Sequence, residues 1–163
     1  MKRLWLLRHA KSSWDHPGLA DHDRPLAPRG KKAGRRIARW AETNDVRPDL
    51  VICSTAVRAQ ATLDLVRPGL GHPAERVDRA LYTASVDDVL ERIAAEDDAL
   101  AEILLIGHNP TLHELAALLA PPGPDAFPTG ALAGLRLEIG SWRELSPACG
   151  LIEAFIVPRS LPH

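Results

Sequence analysis

"LWLLRHAKSSW", residues Leu4 to Trp14, is the stretch whose reading decides the fold. Leu4–Leu7 is an unbroken run of four large apolar residues bounded by charge on both sides. That is the pattern of a strand buried on both faces, as in a parallel sheet covered by helices. The run then delivers Arg8 and His9 side by side, followed by small polar residues. The same form recurs twice. Leu50–Cys53 ends in Ser54 and Thr55 and leads within a few residues to Arg58, and Ile103–Ile106 ends in Gly107, His108 and Asn109.

Helical periodicity fills the intervals. Pro28 suits the first turn of a helix, where its missing N–H costs nothing. From there to about Thr43, Ala33, Ile37, Trp40 and Ala41 fall on one face, while Lys31, Lys32, Arg35, Arg36 and Arg39 mostly occupy the other. Either Ser54 or Thr55 is expected to cap a helix that starts near Ala56, runs to about Val66 and is stopped by Pro68-Gly69. A weak strand is expected around Arg76–Asp78. Ser85 is the expected N-cap of a helix carrying Val86, Val89, Leu90 and Ile93, and a further helix is expected from Thr111 to Leu119.

The stretch "DHPGLADHDRPLAPRG", Asp15–Gly30, is rich in Pro, Gly and Asp and is predicted to be a long surface loop. "PPGPDAFPTG", residues 121–130, is predicted to be a connection, with strands over Ala131–Ile139 and Leu151–Val157 closing the chain. Strands that alternate with helices and are apolar throughout predict a three-layer α/β/α sandwich with a mostly parallel central sheet. At 163 residues one domain spanning 1–163 is expected.

Composition narrows the function classes. The chain is 45% hydrophobic and 25% charged, with formal net charge −1. So balanced a charge argues against non-specific nucleic-acid binding, which needs a basic surplus. Lys2 and Arg3 precede an apolar run that Arg8 interrupts, too short for a signal segment or a membrane span. With only Cys53 and Cys149, the expectation is a reduced, cytoplasmic protein with free thiols and no membrane partner. Oligomeric state is not legible.

In open α/β sheets ligands bind outside the carboxyl ends of the strands. Parallel strands would therefore gather Arg8, His9, Arg58 and His108 at one edge. Each alone has an ordinary explanation as a strand end, a turn or a surface helix cation; their conjunction is what points to a site.

These segments, "LLRHAKSSW", "ICSTAVRAQATL" and "LLIGHNP", resemble the signature of the histidine phosphatase superfamily, relatives of the cofactor-dependent phosphoglycerate mutases. That signature is an Arg-His-Gly after the first strand, a second Arg at the start of the helix after the second strand, and a late Gly-His. Ser-x-x-x-Arg-Ala-x-x-Thr is read at Ser54, Arg58, Ala59 and Thr62, and "DHDRPLAPRG" resembles the family's Pro-Leu-x-x-x-Gly segment. Brevity, the lack of a large insertion and "FPTGALA" are most similar to the SixA-type phosphohistidine phosphatases. Ala10 stands where the family carries Gly, a position that must then adopt a backbone conformation an L-residue can reach.

The resemblance implies a phosphoglycerate mutase-like fold and a phosphatase in which His9 is the nucleophile and becomes phosphorylated. Arg8 and Arg58 would offer planar forks of donors to phosphate oxygens, with His108, if protonated, as a further donor. Ser12, Ser13 and Asn109 are the expected substrate-binding residues. Two guanidiniums and an imidazolium would supply the electrostatics, so no metal and no other cofactor is expected. Mutase-like relatives carry a Glu that protonates the leaving oxygen; here Glu75, Asp78 and Glu91 stand in no recognisable motif. Asp21 is the candidate acid, with Asp15 second, and either is also explained as a loop residue.

A histidine nitrogen leaves with less help from an acid than an alkoxide does. The expected substrate is therefore phosphohistidine on a protein; the alternatives are a small phosphorylated molecule, such as a sugar phosphate or nucleotide, or a non-catalytic phosphate-binding module. The basic face Lys31–Arg39 is explained as a solvated helix face, with steering of an acidic phosphoprotein as the other reading. A cysteine phosphatase needs Cys-x₅-Arg, but Arg58 follows Cys53 after four residues and Ala59 holds the required place. A metallohydrolase built on Asp15, His16, Asp21, His22 and Asp23 matches no helix-pair spacing, and His108 and His113 are five apart rather than four.

Overall fold

The unalternated apolar runs become the middle of a covered sheet. In the computed structural model, which describes residues 1–162, six strands form one sheet. They are β1 (Lys2–Arg8), β2 (Leu50–Ser54), β3 (Ala74–Asp78), β4 (Glu102–Gly107), β5 (Leu132–Leu137) and β6 (Gly150–Ile156). The helices are α1 (Pro28–Thr43), α2 (Val57–Val66), α3 (Ala80–Thr83), α4 (Val86–Ala94) and α5 (Thr111–Leu119). The strand order is β3-β2-β4-β1-β5-β6. The first four are mutually parallel; β5 runs antiparallel to β1, and β6 to β5. The expected three-layer, mostly parallel α/β architecture is what the chain adopts.

Side chains alternate across each strand, so an all-apolar strand feeds two cores. Leu4 and Leu6 of β1, with Ile103 and Leu105 of β4, pack on Val89, Ile93, Leu112 and Leu115 from α4 and α5. Trp5, Leu7, Leu104 and Ile106 pack on Ile37, Ala41, Leu63 and Val66 from α1 and α2. Burying each such leucine contributes roughly 1.5–3 kcal/mol. β1 is fixed between β4 and β5 with Arg8 opposite Gly107, which brings two of the chemistry-bearing strand ends level.

Several local expectations are corrected. The N-cap of α2 is Ala56, without a side-chain cap; Thr55 stands one residue and Ser54 two residues before it, and the Ser54 hydroxyl accepts the Ala56 N–H at 3.2 Å instead of capping the helix. Ser85 does cap α4, in a reciprocal box with Asp88. β3 is longer than expected, β5 is shorter, and α3 has no forerunner in the pattern because one turn has no periodicity to read.

The segment Asp15–Gly30 is only partly a surface loop. Its return end is zipped to the residues that follow His9: Ser12 bridges Leu26, the Ser13 N–H donates to the Pro25 carbonyl (2.8 Å), and the Ala27 N–H donates to the Lys11 carbonyl (2.9 Å). Arg24 and Leu26 are buried as a result. The first turn of α1 then packs on that strap, where a Cβ at Gly30 would overlap the Lys11 backbone.

Replacing Gly30 by Ala should therefore lower stability by about 1–3 kcal/mol, because backbone rather than a flexible side chain must move. Gly140→Ala, which meets only the Glu144 carboxylate at 3.6 Å, should stay within about 0.5 kcal/mol. Urea unfolding of the two variants makes the comparison; equal losses would mean that the close approach at position 30 carries no weight.

Candidate active site

His9 follows the last residue of β1 and is only 6% exposed. Its main chain is fixed by β4 on one side and by the turn before β5 on the other: its N–H donates to the Gly107 carbonyl (3.1 Å), and its carbonyl accepts from the Gly130 N–H (3.0 Å). The imidazole Nδ1 lies 2.8 Å from the Ala10 carbonyl oxygen. A carbonyl can only accept, so Nδ1 carries the proton and Nε2 keeps a bare lone pair. Ala10, at the glycine position of the resemblance, is buried, and its N–H donates to the Thr62 hydroxyl (2.9 Å), which donates in turn to the Arg58 carbonyl (2.7 Å). The spacing of Arg58 and Thr62 along α2 thus ties the two motif segments together.

The His108 ring lies 5.1 Å from that of His9, and its Nε2 is 2.8 Å from the Ser54 hydroxyl. Burial first, then the neighbouring charges of His108, Arg58 and Arg8, pushes His9 down to about 3. Burial and then Arg58 push His108 down to about 4. Both shifts favour neutral imidazoles at pH 7 in the free protein, whereas His108 as a cationic donor would have to be protonated. Arg8 donates to the Phe127 carbonyl (3.0 Å), and burial followed by Arg58 lowers its pKa. Arg58, 7% exposed, donates to the Asp21 carbonyl (2.8 Å) and to Asp21 Oδ2 (3.0 Å). The structure thus brings Arg8, His9, Arg58 and His108 to one edge.

The remaining candidates divide. The Ser12 hydroxyl accepts from the Arg24 guanidinium and the Ser13 hydroxyl from the Asp15 N–H (3.0 Å), so both serve the strap first. Asn109 donates to the same Phe127 carbonyl that Arg8 uses (2.8 Å). The carboxylate of Asp15 is exposed and makes no ion pair with the four central residues. Asp21 is at the centre of a network: Tyr82 O–H donates to it at 2.6 Å, Arg24 at 3.0 Å and Arg58 at 3.0 Å. The Tyr82 hydrogen bond, then Arg24 and Arg58, holds its carboxyl well below the usual carboxylate range. A carboxyl so held has no proton to give at neutral pH, and its geometry is that of an anchor for Arg58. The acid role for which Asp21 was a candidate thus competes with a role as the partner of Arg58.

Tyr82, Arg24 and His22 were not expected near the site. Tyr82 packs edge-on against His108 (5.6 Å) and His22 (4.8 Å), and His22 Nε2 meets the Thr55 hydroxyl at 2.9 Å. Among the described residues no three His, Cys, Asp or Glu side chains are grouped to hold a metal. Cys53 is buried and its thiol is pushed up to about 12, chiefly by burial, so no thiolate is on offer. No helix among the described residues is long and apolar enough to cross a membrane.

Two guanidiniums and two buried imidazoles gathered at the carboxyl edge of a parallel sheet suit a phosphate group. Residues 4–82 match the model of the histidine phosphatase superfamily, branch 1. An uncharacterized protein of Mycobacterium tuberculosis is 40% identical over 94% of this chain and its own full length. Phosphohistidine phosphatase SixA of Escherichia coli is 29% identical over 83% of this chain and 86% of its own. The structure from Agrobacterium tumefaciens that carries the SixA name is 31% identical, covers 96% of this chain and 98% of its own, and superposes with a TM-score of 0.82. A mycobacterial glucosyl-3-phosphoglycerate phosphatase, 17% identical over 94% of this chain and 98% of its own, shares the fold with a TM-score of 0.67. The chain belongs to the histidine phosphatase superfamily and is a phosphatase.

Two buried, neutral imidazoles make stability pH-dependent. Above pH about 6.5 neither the folded nor the unfolded chain protonates these rings. Below it the unfolded chain binds protons that the folded one refuses until about pH 4 for His108 and about pH 3 for His9. Stability must fall as pH drops through that window. Thermal unfolding between pH 7 and about 4 should show a declining midpoint, and the decline should be shallower in a His9→Asn, His108→Asn double variant. Parallel slopes in the two proteins would contradict the assignment.

Proposed function

We propose that this phosphatase hydrolyses phosphohistidine on a protein through a phosphorylated His9. The observation that carries the proposal is the hydrogen bond from His9 Nδ1 to the Ala10 carbonyl, which leaves Nε2 as the free nucleophilic nitrogen among Arg8, Arg58 and His108. Nε2 attacks phosphorus in line, a new N–P bond forms, and the N–P bond of the substrate breaks. The substrate imidazole leaves neutral once its other nitrogen is protonated, a proton that water near pH 7 supplies. Water then attacks phospho-His9, releasing phosphate and restoring the imidazole.

The transition state is loose, with charge spread over three equatorial oxygens, so positioned cations do most of the work. Arg8 and Arg58 fill that role. His108 supplies a hydrogen bond and takes on a proton more readily when a dianion stands beside it. Phe127 offers the site its carbonyl, which accepts from both Arg8 and Asn109, while its ring packs in the core. The Asp21 carboxyl, ionised and tied to Tyr82, Arg24 and Arg58, leaves the site without a strong acid and favours a substrate that needs none. The names of the E. coli and A. tumefaciens SixA relatives support the same substrate class.

Rapid-quench labelling with a phosphorylated substrate should place on His9 a phosphoryl group that is acid-labile and alkali-stable. The His9→Ala variant should lose turnover by at least about 10³-fold. Label that survives acid would exclude the nitrogen-linked intermediate. Equal kcat/KM for phosphohistidine and phosphoserine would instead favour the small-phosphomonoester reading.

Asp21→Asn separates anchor from acid. An anchor's loss, on the order of tenfold, is the same for phosphohistidine, aryl phosphate and alkyl phosphate. Loss of a general acid, about 10²–10⁴-fold, falls mainly on the alkyl phosphate. We expect the uniform loss; leaving-group dependence would return Asp21 to the role of proton donor.

A further inference from the structure

Beside the active-site strap lies a cavity of about 270 Å³ lined by Lys11, Arg29, Arg36 and Arg159 over an apolar floor of Ala33, Pro128, Val157 and Pro158. Among the described residues no carboxylate lines it. It adjoins the site on two sides. Lys11 is two residues beyond His9, so their Cα atoms are within about 7 Å, and Pro128 follows the Phe127 whose carbonyl holds Arg8 and Asn109. A second depression, lined by Lys32, Arg35, Arg36 and Arg39, continues from it along α1.

A merely solvated helix face would be expected to mix its charges. α1 carries six cations and a single acid, Glu42, in a chain whose net charge is −1, so the rest of the molecule is net negative. The arrangement works against the helix. Arg29 and Lys31 stand in the first turn, where the helix dipole disfavours cations and where there is no acid. Lys31 and Arg35, Lys32 and Arg36, and Arg35 and Arg39 are like-charge neighbours four residues apart. Elsewhere Arg3, Arg47, Arg67, Arg76, Arg92 and Arg136 all have carboxylate partners. Arg29, Lys32 and Arg159 have none among the described residues and are exposed.

We propose that this cavity and the α1 stripe dock an acidic segment of the phosphorylated protein substrate, presenting its phosphohistidine to His9. The inference rests on the reading of the substrate as protein phosphohistidine. A stripe running along a 16-residue helix, about 24 Å at 1.5 Å per residue, is longer than a small phosphate ester and matches a chain segment. Surface complementarity of this kind raises association rate and selects partners, and it weakens steeply with salt.

The test uses three probes: free phosphohistidine, and two synthetic peptides of equal length bearing one phosphohistidine made with phosphoramidate, flanked by glutamates in one and glutamines in the other. In the wild-type chain kcat/KM should favour the glutamate peptide by about tenfold or more at low salt. The ratio should fall toward one at about 0.5 M salt, where screening has shortened to a few ångströms. It should also fall toward one in the Arg29→Glu, Lys32→Glu, Arg159→Glu variant, while turnover of free phosphohistidine stays unchanged. Glu at the start of α1 favours the helix, so thermal unfolding of that variant should be no lower than wild type. A wild-type ratio near one, or a ratio that neither salt nor the variant reduces, overturns the docking surface while leaving the chemistry standing. Failure of all three probes with turnover of an aryl phosphate overturns the substrate reading itself, and docking with it.

Discussion

Two guanidinium groups and two imidazoles share one poorly solvated edge, and the electrostatics of that crowding govern the rest of the structure. Cations taken out of water need either counter-charge or a change of protonation. Arg58 has Asp21. Arg8 has a carbonyl dipole from Phe127 and, among the described residues, no carboxylate. The imidazoles cannot both be charged beside them, and burial with the neighbouring guanidiniums keeps them neutral. The edge retains a cationic excess together with imidazole nitrogens that are unprotonated by default. A dianion meets both conditions at once, which is why a phosphatase needs the crowding that a stable fold would otherwise avoid.

The fold answers this constraint with backbone rather than with side-chain bulk. The residue after β1 is held by Gly107 on one side and Gly130 on the other, and the strap after it is zipped to Pro25–Ala27 and backed by Gly30. Thr62 then joins Ala10 to α2 and so to Arg58. Phosphoryl transfer gains most from reacting atoms held in line at short range, and small misplacements are costly. Hydrogen bonds between backbone segments give that precision because they leave few rotamers to freeze.

What was legible in the sequence follows from what is local. Apolar runs without alternation mark strands with helices on both faces, and β1, β2 and β4 are of that kind. Residues at the ends of such strands are brought to one edge by the topology, so Arg8, His9, Arg58 and His108 could be read together. Long-range partners had no such signal. Tyr82 meets Asp21 across 61 positions, with no periodicity or motif connecting them. Asp21 itself is visible, but its role depends on those partners, and a carboxylate standing alone in a loop reads equally as acid or turn. Arg24 shows the same limit: its burial is set by the strap it closes, not by its own neighbours in sequence. The α2 cap differs from the expectation for the converse reason, since Ser54 is also the partner of His108 and lies two residues before the N-cap Ala56.

Asp21 holds Arg58 without using all of its donors. A guanidinium has five N–H donors. Asp21 accepts from one nitrogen through its carbonyl and from the other terminal nitrogen through its carboxylate, which leaves donors on the same planar group. The carboxylate is itself shared with Tyr82 and Arg24, so its negative charge is spread away from the pocket. A lone acid facing the phosphate would repel it; an acid seated behind a guanidinium and drained by two further donors fixes the fork and cancels little of its field. The burial that makes Arg58 need a counter-ion also makes its remaining donors strong, because a hydrogen bond gains strength where water competes least.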